Sequence, residues 1–199
     1  MTEASQVHDF RKPEGANGSQ REHYELEQPV FLVGFMGAGK TSVSRKLARL
    51  AGVVAVDMDT FIERRCGMKV KSIFADVGEA GFRTIETDML RELACGEARI
   101  VSCGGGVVVT PENREILKTH GFVVHLKVVA DEAASRISNI STRPLFGDIE
   151  NARRVEESRL PLYEEVANIT VDTAGRGSGA VSREVFSKLK KAGVLRPGT

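Results

Sequence analysis

Lys40 and Thr41 close the run Gly34-Phe35-Met36-Gly37-Ala38-Gly39-Lys40-Thr41, which satisfies the pattern GxxxxGK[ST] at every specified position. In this P-loop pattern, backbone N–H groups and a helix N-terminus converge on a phosphate. Gly34, Gly37 and Gly39 permit positive φ and the close approach of an anion. Gly37, Ala38, Gly39 and Ser42 would form the cradle. Lys40 would bring a positive charge to the β- and γ-phosphates, and the Thr41 hydroxyl would ligate Mg²⁺. The chemistry predicted is the binding of a nucleoside triphosphate.

Asp57 and Asp59 are a second group with chemical potential. In an extended chain, residues two apart point the same way, so both carboxylates would face one crevice. One could hold the Mg²⁺ shell while the other orients an acceptor hydroxyl. A helix N-cap followed by a first-turn acid accounts for either residue singly. The triple glycine at 104–106 follows an apolar run, where it would let backbone approach a ligand. Arg83, Arg143 and Arg159 are ambiguous by themselves. Arg83 lies beside an apolar helix face, and Arg159 reads as a helix-surface charge. Arg143 sits in an aperiodic stretch before Pro144, where a lid arginine or a solvated loop arginine fits equally.

The elements that must position these groups follow from periodicity. The apolar run at 30–33 reads as a buried strand and 42–50 as the helix after the loop. Further strands are expected at 53–56, 100–102, 122–126 and 168–171. Helices are expected at 60–65, 71–77, 79–94, 111–119, 131–137, 152–166 and 180–192. Thr110 and Asp131 are the expected caps of their helices, and Gly121 closes the first of them. Strands alternating with helices mean a parallel sheet covered on both faces. Residues 1–28 are polar and aperiodic and read as a flexible arm, with a short helix near Tyr24 an option. The domain is expected over 29–199, with a lid at about 138–150.

Composition narrows the class. With 199 residues, a net charge of +1 and no Trp, neither a nucleic-acid platform nor an acidic partner is indicated. The three cysteines, Cys66, Cys95 and Cys103, show no CxxC spacing and read as reduced thiols. No membrane span or signal peptide is evident, so a cytoplasmic monomer without membrane or nucleic-acid partners is the expectation. Asp172-Thr173-Ala174-Gly175 imitates a GTPase switch. It stands far from the P-loop and no NKxD motif accompanies it, so it reads as the end of the last strand.

Taken together, the motifs resemble those of the shikimate kinases. The resemblance rests on GFMGAGKTSV, DMD at 57–59, GFRTIE at 81–86, SCGGGVV at 102–108, TRPL at 142–145 and SRLPLY at 158–163. It covers Pro29 to Leu195. It implies a nucleoside monophosphate kinase-like α/β fold with a five-stranded parallel sheet, a helical shikimate-binding segment and a lid. It also implies that Thr41 and Asp57 organise Mg²⁺ and that Asp59 holds the acceptor hydroxyl. By the same resemblance Arg83 and Arg159 grip the shikimate carboxylate, and Gly104, Gly105 and Gly106 contact the ring. Arg143 touches the ATP phosphates and Arg136 stacks on adenine. Ser138 to Ser141 departs from the family's lid pattern, and the arm lies outside it. The implied activity is ATP-dependent phosphorylation of shikimate. A kinase for another polyol acid such as gluconate, and a nucleotide-binding module without turnover, are the alternatives.

Overall fold

The computed structural model describes residues 23–136 and 148–198. A five-stranded parallel sheet lies at its centre, in the order β3-β4-β2-β5-β6. These strands are β2 (Val30–Val33), β3 (Ala55–Asp57), β4 (Ile100–Ser102), β5 (Phe122–Lys127) and β6 (Ile169–Asp172). Every residue of β2 is buried, as expected of a central strand covered on both faces. Helix α1 (Lys40–Ala51) packs with α7 (Ser178–Lys191) as one group of helices. Helices α3 (Val70–Cys95), α4 (Pro111–His120) and α6 (Ile149–Val166) form a second. Two short helices complete the fold: α2 (Met58–Cys66) follows β3 directly, and α5 (Ala130–Ser135) follows β5 after Val128 and Val129. No described helix is long and apolar enough to cross a membrane.

Register explains the convergence of the chemistry. Asp57 is paired with Ser102, and Ser102 with Leu32. On the other side Val33 is paired with His125 and Lys127 with Asp172. The strands therefore end side by side, and the segments that leave them share the carboxyl edge of the sheet, where ligands of such sheets bind.

Several expectations are corrected in detail. The second strand of the sheet runs 55–57 instead of 53–56, and α2 begins directly after it. The helices expected at 71–77 and 79–94 form one element, α3, broken at Gly78 with φ 68°. Thr110 precedes α4 without a side-chain capping bond. Val129, not Asp131, occupies the N-cap of α5, so Asp131 is a first-turn acid. Helix α6 begins three residues early because the Asp148 side chain accepts a hydrogen bond from the Asn151 N–H at 3.2 Å.

The end of the expected arm behaves differently. Tyr24–Leu26 is a strand, β1, antiparallel to β7 (Leu195–Pro197), and not a helix. Tyr24 is buried with its ring edge-on to Phe186 at 5.1 Å. Lys190 donates to its hydroxyl at 2.9 Å. One aromatic anchor thus gives this polar segment enough burial to order it.

Candidate active site

The P-loop adopts the backbone its glycines foretell. Gly37 has φ 80° and Gly39 φ 85°. A Cβ on Gly37 would stand 2.8 Å from the Ala133 carbonyl, so the residue also lets α5 approach. Helix α1 opens at Lys40 with no acid in its first turn, leaving its positive end available to an anion. Lys40 is nearly buried and donates to the carbonyls of Gly34 at 2.7 Å and Phe35 at 3.0 Å. The Thr41 hydroxyl donates to Asp57 Oδ2 at 2.8 Å and lies 3.3 Å from Ser102 Oγ. Asp57 also accepts from the Thr60 N–H at 3.2 Å, so it caps α2 with one oxygen and meets Thr41 with the other. The capping reading holds for this residue, which also lines the cleft.

Asp59 does not share an extended chain with Asp57, because Met58 already begins α2. It reaches the same cleft from the first turn of that helix. A Cβ added to Gly104 would stand 3.1 Å from Asp59 Oδ1 and 3.3 Å from Glu86 Oε1, so two carboxylates close over this glycine. Glu86 is 2% exposed. Burial pushes its carboxyl above the ordinary range, the Arg83 charge opposes that shift, and Asp59 adds to it. Arg83 donates to Glu86 Oε2 at 2.8 Å and to Glu79 Oε1 at 3.2 Å. Arg159 donates to the Gly105 carbonyl at 3.3 Å, and the buried Tyr163 hydroxyl donates to the same oxygen.

On the opposite flank, Arg136 lies beside the P-loop. It donates to Thr173 Oγ1 at 3.0 Å and Glu132 Oε1 at 2.6 Å, and also to the Thr173 carbonyl. Glu132 Oε1 accepts in addition from the Gly175 N–H at 2.7 Å. The Asp172-Thr173-Ala174-Gly175 motif is indeed the end of β6, and its Thr173 is an anchor for Arg136. Arg143 and the segment 137–147 lie outside the described residues.

One cleft of about 1350 Å³ joins these groups. Gly37, Ala38, Gly39, Lys40, Thr41 and Ser42 line one end with Arg136. Asp57 and Asp59 stand between that end and Arg83, Gly104, Gly105, Gly106 and Arg159. Sequence reasoning missed Glu86, Ser102 and Thr173 as members of this cleft. Glu86 was discoverable, since an acid three residues after Arg83 on a helix faces it. Ser102 stood only as the first letter of SCGGGVV, and its place beside Asp57 follows from the strand register.

A family model, "Shikimate kinase", matches residues 36–190. Curated shikimate kinases from Dehalococcoides mccartyi and Thiobacillus denitrificans are 36% and 39% identical over 84% and 80% of this chain. The match spans 96% and 89% of those proteins. The structure of a shikimate kinase from Acinetobacter baumannii in complex with shikimate superposes with a TM-score of 0.78 and 36% identity. It covers 83% of this chain and 94% of that one. A gluconokinase from Sinorhizobium meliloti, at 18% identity and a TM-score of 0.56 over 84% of this chain and 94% of its own, shares the fold alone. The chain belongs to the shikimate kinase family.

Proposed function

We propose that the protein transfers the γ-phosphoryl group of ATP to the 3-hydroxyl of shikimate. The products are 3-phosphoshikimate and ADP, a step toward chorismate and the aromatic amino acids. The observation that carries this reading is the single cleft in which a GKT loop faces two arginines and a carboxylate across a glycine shelf. A shikimate-bound relative of the same fold supports the choice of acceptor.

The two guanidinium forks of Arg83 and Arg159 match the planar carboxylate of the acceptor. Glu86 holds the Arg83 fork in place, and the glycines at 104–106 leave room for the ring. Asp59 orients the attacking hydroxyl and accepts its proton. Lys40 exchanges its loop carbonyls for phosphate oxygens, and Arg136 packs against the adenine. Arg143 closes over the phosphates by the family pattern. Catalysis then consists of in-line positioning and charge neutralisation.

Thr41 and Asp57 offer hard oxygen donors, with Ser102 Oγ beside them, a set that suits Mg²⁺. Bound there with ATP, Mg²⁺ would neutralise charge on the β- and γ-phosphates. Among the described residues no group of three or more His, Cys, Asp or Glu could hold a metal by itself. The site is thus of the kind in which phosphates and water complete the coordination. Release of ADP on addition of shikimate to protein, ATP and Mg²⁺ tests the proposal. A folded sample with no shikimate-dependent turnover refutes it.

A further inference from the structure

Gly105 offers one carbonyl to two side chains of the same helix. Arg159 and Tyr163 are four residues apart on α6, so they present one face. Arg159 Nη1 donates to the Gly105 oxygen at 3.3 Å, and the Tyr163 hydroxyl donates to it as well. The two differ in surroundings. Arg159 lines the cleft, whereas Tyr163 is 1% exposed and points to the shelf from inside the core.

Tyr163 is itself held. Its ring stacks on His125, with centroids 5.2 Å apart and planes at 22°. His125 is buried on β5, in register with Val33, the last residue of the strand that feeds the P-loop. Burial pushes the Tyr163 phenol up to about 12, with Arg159 opposing the shift, so the hydroxyl remains a donor at neutral pH. Gly105 also touches the nucleotide loop, since a Cβ there would stand 3.5 Å from the Met36 nitrogen and 3.7 Å from the Gly34 oxygen. The shelf, the P-loop and α6 therefore meet at this residue.

We infer that Tyr163 is a positioning residue for the acceptor. Its hydroxyl fixes the Gly105 carbonyl and thereby the separation between the glycine shelf and the Arg159 guanidinium. The inference rests on the proposed function of the cleft. Without the phenol, a partly buried carbonyl keeps one side-chain donor among the described residues, and that donor is the arginine needed by the substrate. Arg159 is then drawn toward Gly105 and the shelf loosens, while the adenine end of the cleft is unaffected.

The test is a kinetic cycle of wild type, Tyr163→Phe, Arg159→Lys and the double variant, with both substrates titrated. Tyr163→Phe removes one hydroxyl and keeps the stacked ring. The shikimate KM should rise by ~3–10-fold, as expected for a lost buried hydrogen bond, while the ATP KM moves by less than about two-fold. In the Arg159→Lys background the same change should raise the shikimate KM by less than about two-fold, because the two residues act through one carbonyl. Equal factors in both backgrounds would overturn the inference. So would a rise in both KM values together, or a lower melting midpoint at unchanged shikimate KM. Direct titration of shikimate into each protein supplies the same comparison if turnover is too slow. Wild-type turnover separates the two claims: an enzyme that phosphorylates shikimate but ignores Tyr163→Phe loses this inference alone.

Discussion

Arg83 and Glu86 form a hydrogen-bonded ion pair, 2.8 Å between Nη1 and Oε2, in which the acid is 2% exposed and the arginine borders the cleft. A charge buried this deeply costs several kcal/mol unless paired, so the pair constrains both members. Its geometry holds a guanidinium at the end of the cleft proposed to take the acceptor. Glu86→Ala should raise the shikimate KM by about tenfold and lower stability, leaving the ATP KM nearly unchanged. Steady-state titration of each substrate, with a urea melt alongside, checks both parts.

The glycine shelf gives an independent handle on the same arginine. Gly106 has φ −98° and ψ −1°, which alanine tolerates. A Cβ there would nevertheless stand 2.7 Å from both terminal nitrogens of Arg83. Gly106→Ala should therefore displace a guanidinium already tied to Glu79 and Glu86, without straining its own backbone. The expected outcome is a shikimate KM higher by about tenfold or more, through weakened charge-assisted bonds. Normal shikimate KM in a folded Gly106→Ala protein would show that Arg83 is not where the carboxylate binds.

Asp59 carries the proposed proton transfer. Asp59→Asn keeps the shape and removes the basic oxygen, so kcat should fall by about two to four orders of magnitude. Titration with a fluorescent ADP analogue should give near-normal affinity, since the P-loop lies on the other side of Asp57. A kcat close to wild type would remove Asp59 from the chemistry.

His125 makes the fold sensitive to acid. Burial, aided by the charges of Lys127 and Lys40, pushes its pKa down to about 4 from an ordinary 6.5. The folded state therefore prefers the neutral ring, and the unfolded chain binds the extra proton between those values. Stability is unaffected above pH 6.5 and is lost progressively as pH falls toward 4. Relative to His125→Leu, the wild type should lose on the order of 2–3 kcal/mol between pH 7 and 4.5. Glu86, whose carboxyl is pushed up by burial, shifts stability the opposite way, but it is common to both proteins and cancels in the difference. Parallel pH profiles in urea melts would contradict the assignment.

How much of this was legible in the chain depends on which physical signal each residue carries. The P-loop was readable because its glycines, lysine and threonine act locally, and Gly37 and Gly39 adopt the positive φ their type allows. The strand pattern was readable because β2 and β4 are buried on every residue and so are apolar nearly throughout. Boundaries failed where tertiary contacts decide them. Asp57 ends a strand and caps a helix at once, which no period reveals. The segment at Tyr24 looks like a polar arm until β7, far along the chain, supplies a partner. In the site, Arg83 and Arg159 were ambiguous by their own residue types and took a role only through the resemblance, whereas their contacts with Glu86 and with Gly105 come from the fold. Tyr163 stood only as the last letter of SRLPLY, with no role of its own, because its hydroxyl's acceptor lies 58 residues away.

The central claim is that this cleft phosphorylates shikimate. The most direct measurement is ADP release by the purified protein with ATP and Mg²⁺, comparing shikimate with gluconate as acceptor. The account predicts saturable turnover with shikimate, abolished by Lys40→Ala, and none with gluconate. A folded, nucleotide-binding protein that releases no ADP on addition of shikimate, or prefers gluconate, would contradict it.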